Sequence, residues 1–103
     1  MIKFNELLER AKTEKIAIHT PTEEQAITLL KALDEKGYKW LGGDKLTTIT
    51  RYENHKEKTC YNFSVDACRR LLNKKVMYSS LSFYQEEGYT IIKFKDIDFK
   101  ENA

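Results

Sequence analysis

"TPTEEQAITLLKALDEKGYKW", residues 20–40, reads as a helix with both ends marked, followed by the start of a strand. Thr20 suits the N-cap, Pro21 the first helical position, and Glu23 completes a Thr-x-x-Glu capping box. Ala26, Leu29, Leu30 and Leu33 recur at helical spacing as one apolar stripe, and Glu23 and Glu24 lie at the positive end of the helix dipole. Gly37 offers a left-handed C-cap, so the helix is expected over about residues 21–36. A helix with a single apolar stripe needs a surface to cover, and the flanking segments supply one.

Upstream, "KIAIHT" sets Ile16 and Ile18 on one face and Ala17 and His19 on the other, the alternation of a short strand. Downstream, Tyr38, Trp40 and Leu41 read as a second strand, ended by the Gly42–Gly43 turn. "VMYSSLSFYQEEGYTIIKF", residues 76–94, repeats the plan with a strand at 76–78, a serine cap at Ser79 or Ser80, a short helix, Gly88 as C-cap and a strand at 89–94. "EKGYKW" and "EEGYTI" occupy equivalent places, either as a duplication or as two uses of one helix-to-strand solution. Between the units, residues 59–63 read as a strand, 65–72 as either a helical turn or a loop, and 47–58 as a polar loop. "NELLERAKTEK" near the start spaces Leu7, Leu8 and Ala11 as a short amphipathic helix, expected to act as a lid or flank. The expected fold is α+β: a small mixed sheet of four or five strands with helices packed on one face. Residues 1–103 form a single domain, with 1–14 as the flank and 15–97 as the core.

Composition bounds the function. The 103 residues are about one domain, and 41% hydrophobic with 33% charged and twelve aromatics is a globular balance. No apolar run approaches the roughly 20 residues of a membrane span, and the N-terminus lacks the apolar stretch of a secretion signal, so the expected location is the cytoplasm. Cys60 and Cys68 are too few for a disulfide scaffold and read as small apolar side chains. The net charge of +2 hides an asymmetry: residues 45–75 hold eight Lys/Arg against three acids, +5, which leaves −3 elsewhere.

Catalytic motifs are lacking. The chain has no G-x-S-x-G, H-E-x-x-H, Walker lysine loop or G-x-G-x-x-G, and "LGGDKL" leads into β-branched "TTIT" where a phosphate loop would lead into a helix. His55, Cys60 and Cys68 match no common zinc spacing, and the apolar setting of Cys60 should raise its pKa. Glu23/Glu24 and Glu86/Glu87 are sequence neighbours that point about 100° apart on a helix and cannot converge on one bond. No enzyme activity, metal or cofactor is expected.

The basic, aromatic middle remains. Cations hold phosphates and aromatic faces hold bases, which makes Trp40, Lys45, Arg51, Tyr52, His55, Tyr61, Arg69 and Arg70 the candidate ligand-binding set. The plainer reading of each is that Lys and Arg are solvated surface and that Trp40 and Tyr61 are half-buried core. Trp40 is expected at a strand end with one ring face open, and Arg51 as a phosphate clamp. The +5 stretch is too diluted by Glu53, Glu57 and Asp66 to favour sequence-specific nucleic-acid binding.

T-P-T-E-E-x-A, then L-x-x-x-G-Y-K-W with a Gly-rich turn, then T-C-Y-x-F, then M-Y with G-Y-x-I-I-x-F, together resemble a group of small accessory proteins of phages and prophages of Firmicutes, over residues 15–97. The resemblance implies action by binding. Such proteins inhibit a host defence protein, as anti-CRISPR proteins do, or sequester a nucleotide alarm signal, as sponge proteins directed against Thoeris and CBASS defences do. A DNA mimic should be acidic, whereas this chain gathers positive charge beside aromatics. Sequestration of a small phosphorylated nucleotide by a homo-oligomer in the host cytoplasm therefore ranks first, a host-protein inhibitor second and a nucleic-acid binder third.

Overall fold

A computed structural model of the chain describes residues 1–66, 68 and 70–100. Its helices are α1 (Phe4–Arg10), α2 (Glu23–Glu35) and α3 (Leu81–Glu86). Its strands are β1 (Ile2–Lys3), β2 (Ile16–His19), β3 (Lys39–Trp40), β4 (Thr59–Asn62), β5 (Lys75–Ser80), β6 (Thr90–Lys93) and β7 (Ile97–Asp98). Five strands form a mixed sheet in the order β3-β5-β4-β2-β6, and β1 pairs with β7 in a separate parallel ladder. The expected α+β class with a mixed sheet is the observed one.

β4 runs antiparallel to both its neighbours, pairing Ile18 with Tyr61 and Cys60 with Ser79. The outer pairs are parallel: β3 beside β5, and β6 beside β2 from Ile16↔Thr90 to His19↔Lys93. Alternation sends Ile16, Ile18, Tyr61, Val76 and Trp40 to one face, where they pack against Ala26, Leu29, Leu30 and Leu33 of α2 and Phe4, Leu7 and Ala11 in and just after α1. The first helix is thus part of the main core, where the sequence suggested a flank, and Phe99 reaches Phe4 with ring centroids 5.1 Å apart.

The expectation that all helices share one face needs correction. Ala17 and Cys60, which alternate with the large apolar residues, point to the opposite face and pack with Tyr84 of α3 and Tyr89. Two small side chains leave room for two large rings, set edge to face at 4.8 Å between centroids, so α3 can lie close against the sheet.

The α2 start also differs from the sequence reading. Thr20 stays with the sheet, its N–H donating to the Thr59 carbonyl at 3.0 Å, and Thr22 becomes the N-cap, accepting from the Gln25 N–H at 3.2 Å. Of the segment 65–72, residues 67 and 69 lie outside the described residues, and the described ones are not helical: Val65 bridges Leu71, and the Asp66 carboxylate accepts from the Cys68 and Arg70 N–H groups at 2.9 Å each. A side-chain oxygen that captures two backbone donors competes with helix formation.

Candidate functional site

β3 lasts only two residues. Beyond it Gly43, at φ 98°, turns the chain back so that Lys39 bridges Lys45, and among the described residues no strand pairs with the rest of β5 on that side. A cleft of about 190 Å³ opens there, lined by Trp40, Leu41, Gly42, Arg51, Val76, Met77 and Tyr78.

Residues 46–58 wrap this end of the sheet in three short 3₁₀ turns. They are pinned at several points: Trp40 Nε1–H donates to the Ile49 carbonyl at 3.2 Å, Tyr61 O–H to the Thr50 carbonyl, and Tyr52 O–H to the Pro21 carbonyl at 2.6 Å. Asn54 Nδ2–H donates to the Tyr78 hydroxyl at 2.8 Å, and the His55 ring lies 6.1 Å from that of Tyr78. The loop therefore holds Arg51 in place through contacts on both sides.

Arg51 is half-buried and adopts the left-handed backbone region, φ 62° and ψ 8°. Its guanidinium sits 6.0 Å from the Trp40 ring centroid and 5.9 Å from that of Tyr78. Among the described residues it forms no ion pair, unlike Arg10, which pairs with Glu14, and Arg70, which pairs with Asp66. A cation at the outer edge of cation–π range of two rings, with no carboxylate paired to it among the described residues and a cleft beside it, can accept an anion as a partner.

No family model, curated protein or solved structure matches the chain. The chemistry of the site accordingly rests on its own residues.

Of the residues expected to bind ligand, Trp40, Arg51, Tyr52, His55 and Tyr61 are brought to one end of the sheet. Their parts differ from expectation. Trp40 is buried, 5% exposed, so it forms the floor of the cleft and has no open face at a pocket mouth. Tyr61 is fully buried beneath it, ring centroids 6.0 Å apart, and burial pushes its hydroxyl pKa up. Tyr52 ties the loop to the start of α2. Lys45 is exposed and does not line the cleft, because its bridge to Lys39 fixes it on the hairpin. Arg70 lies on the loop after β4, paired with Asp66 at 2.8 Å, and Arg69 lies outside the described residues.

Tyr78 was missed. It contacts Arg51, Trp40, His55 and Asn54, yet in sequence it is one more aromatic in a strand. Alternation places it on the same face as Val76, and only the pairing of β3 with β5 makes that the Trp40 face. Cys60 behaves as the sequence suggests, burial raising its thiol pKa to about 12.

Proposed function

We propose that the chain is a binding protein that sequesters a phosphorylated nucleotide signal as a phage counter-defence factor, with Arg51 as the phosphate contact. The observation that carries this reading is the Arg51 guanidinium, half-buried over Trp40 and Tyr78 and without a carboxylate partner among the described residues. An interior of about 190 Å³ is smaller than the roughly 300 Å³ at which pockets for drug-sized ligands begin, so it takes the phosphate end of a ligand. The remainder lies along the exposed rim at Leu41 and Gly42, where a second copy of the chain would complete the enclosure.

The test is native mass spectrometry of protein purified from its bacterial host, beside Arg51→Gln prepared in the same way. The reading expects a defined oligomer with a few hundred daltons of added mass, lost in the variant. Equal ligand mass on both proteins would sink Arg51 as the phosphate contact.

A second reading, an inhibitor seated on a host defence protein, is favoured by Leu41, Ile49 and Ile27, which are 54%, 47% and 42% exposed. It expects ligand-free protein and a stable complex that Leu41→Asp weakens.

A further inference from the structure

β5 runs for six residues, and β3 covers only its start, pairing at Lys39↔Lys75 and Trp40↔Val76. The bonds made there fix the direction of the peptide groups that follow. Leu41 N–H donates to the Val76 carbonyl, so the main chain of Val76 faces β3. Peptide groups alternate sides along a strand, so Tyr78 N–H and C=O and Ser80 N–H face the same way, where among the described residues no strand lies. Burial agrees: every residue of β4 is buried, whereas residues 77–80 of β5 are half-buried.

A bare edge invites another strand, and natural sheets guard theirs with lysine, proline or a bulge. The opposite edge, β6, ends in exposed Lys93. Residues 77–80, Met-Tyr-Ser-Ser, carry neither a charge nor a proline. This open stretch borders the Arg51 cleft, which Val76, Met77 and Tyr78 line together with exposed Leu41. Its surroundings are positive. Lys45 stands across from Lys39 and Lys39 across from Lys75, so three lysines form a row beside the start of the open stretch. Like charges in opposed positions are destabilising, and a partner's acid relieves them.

We propose that this edge is a docking site for an extended acidic segment of a partner protein, which continues the track of β3 beside residues 78–80 and places an Asp or Glu side chain on Arg51. The inference rests on the second reading above, a partner protein seated at this end of the sheet, and supplies its mode of docking. Main-chain bonds to Tyr78 and Ser80 hold an extended segment of any sequence, and the carboxylate on Arg51 selects among them. Two copies of the chain paired through this edge would bring their positive groups together, so an acidic partner fits it better than a second copy.

The test is selection of a displayed library of random ten-residue peptides on the full chain, followed by two-dimensional amide NMR with the most enriched peptide. The proposal expects enriched peptides to share an Asp or Glu. The chosen peptide should move the Tyr78, Ser79 and Ser80 amide signals and slow hydrogen exchange at Tyr78 and Ser80. Replacing its acid by the matching amide should weaken binding by about tenfold or more on the wild type and change nothing on Arg51→Gln. Methylating the peptide nitrogen that faces the Tyr78 carbonyl removes a donor while leaving the protein untouched, and should abolish binding even if the Arg51 variant fails to fold. Enriched peptides without a common acid, shifts confined to other residues, or a methylated peptide that binds undiminished would each overturn the proposal. So would a wild-type chain that dimerises without peptide and protects its own Tyr78 amide, which would give the edge to a second copy. A host-protein complex that Leu41→Asp weakens, but in which Tyr78 and Ser80 exchange freely, would keep the second reading and sink strand addition alone. Peptide docking on this edge with no host complex would do the reverse.

Discussion

Arg51 stands in a backbone conformation that costs a residue with a β-carbon about 1–2 kcal/mol, and no turn glycine replaces it. Strain of this kind persists where the surrounding structure enforces it, here through the pinned residues 46–58. The cost separates binding from stability. Arg51→Ala loses two cation–π contacts worth about 0.5–1 kcal/mol each and keeps the strain, whereas Arg51→Gly loses the same contacts and relieves it. Chemical denaturation should find the glycine variant about 1 kcal/mol more stable than the alanine variant, and the proposed function expects native mass spectrometry to find added ligand mass on neither. If alanine proves the more stable, the left-handed conformation is wrong. Trp40 tests the opposite case: Trp40→Ala should cost about 3–5 kcal/mol as a buried aromatic, and Trp40→Phe about 1–2 kcal/mol for the bond to the Ile49 carbonyl. The interleaving of cations and aromatics made Arg51 and Trp40 legible in the sequence, because both lie on one connected stretch. Tyr78 was not legible as their partner, since nothing local says that β5 lies beside β3.

The elements were legible where a cap or an alternation marked them. Gly37 and Gly88, at φ 87° and 78°, end their helices, and in each case the following tyrosine N–H donates back to the helix: Tyr38 to Leu33 and Tyr89 to Tyr84. The two matching sequence units therefore share one C-cap geometry. Their strands pair with the opposite unit, β3 against β5 and β6 against β2, so each unit supplies an edge strand to the other. That exchange depends on contacts distant in sequence and left no periodic trace. The N-cap of α2 misled for a different reason: Thr20 and Thr22 both have a capping residue type and an acid or amide three positions on, and only the pairing of Thr20 with Thr59 decides between them. Thr22→Ala should lower stability by about 1 kcal/mol and Thr22→Ser should restore most of it. An unchanged unfolding midpoint for Thr22→Ala would return the cap to Thr20.

Over the whole molecule, burial weighs on groups that must stay protonated. Tyr38, Tyr52, Tyr61, Tyr84 and Tyr89 all have raised pKa values with desolvation as the largest cause, and Cys60 and Tyr89 are pushed up to about 12. The ordinary values are 9.0 for the thiol and 10.0 for the phenols, so the unfolded chain releases these protons first as pH rises. The unfolded state then binds fewer protons than the native state, and stability must fall with pH. These groups contribute in full below about pH 9, and their contribution is lost as pH climbs towards 12 and beyond. Tyr61 and Cys60 lie on the central strand and Tyr84 binds Asn62 of the same strand at 2.6 Å, so none can ionise without opening both faces of the sheet. The expected alkaline transition is therefore cooperative, with tyrosinate absorbance rising in the same pH range in which circular dichroism is lost. At pH 8 a thiol reagent should modify exposed Cys68 rapidly and Cys60 only at the rate of global unfolding. Tyrosinate that appears gradually while the circular dichroism stays native would mean that these rings open locally and that the aromatic layers on the two faces of the sheet are not one cooperative unit.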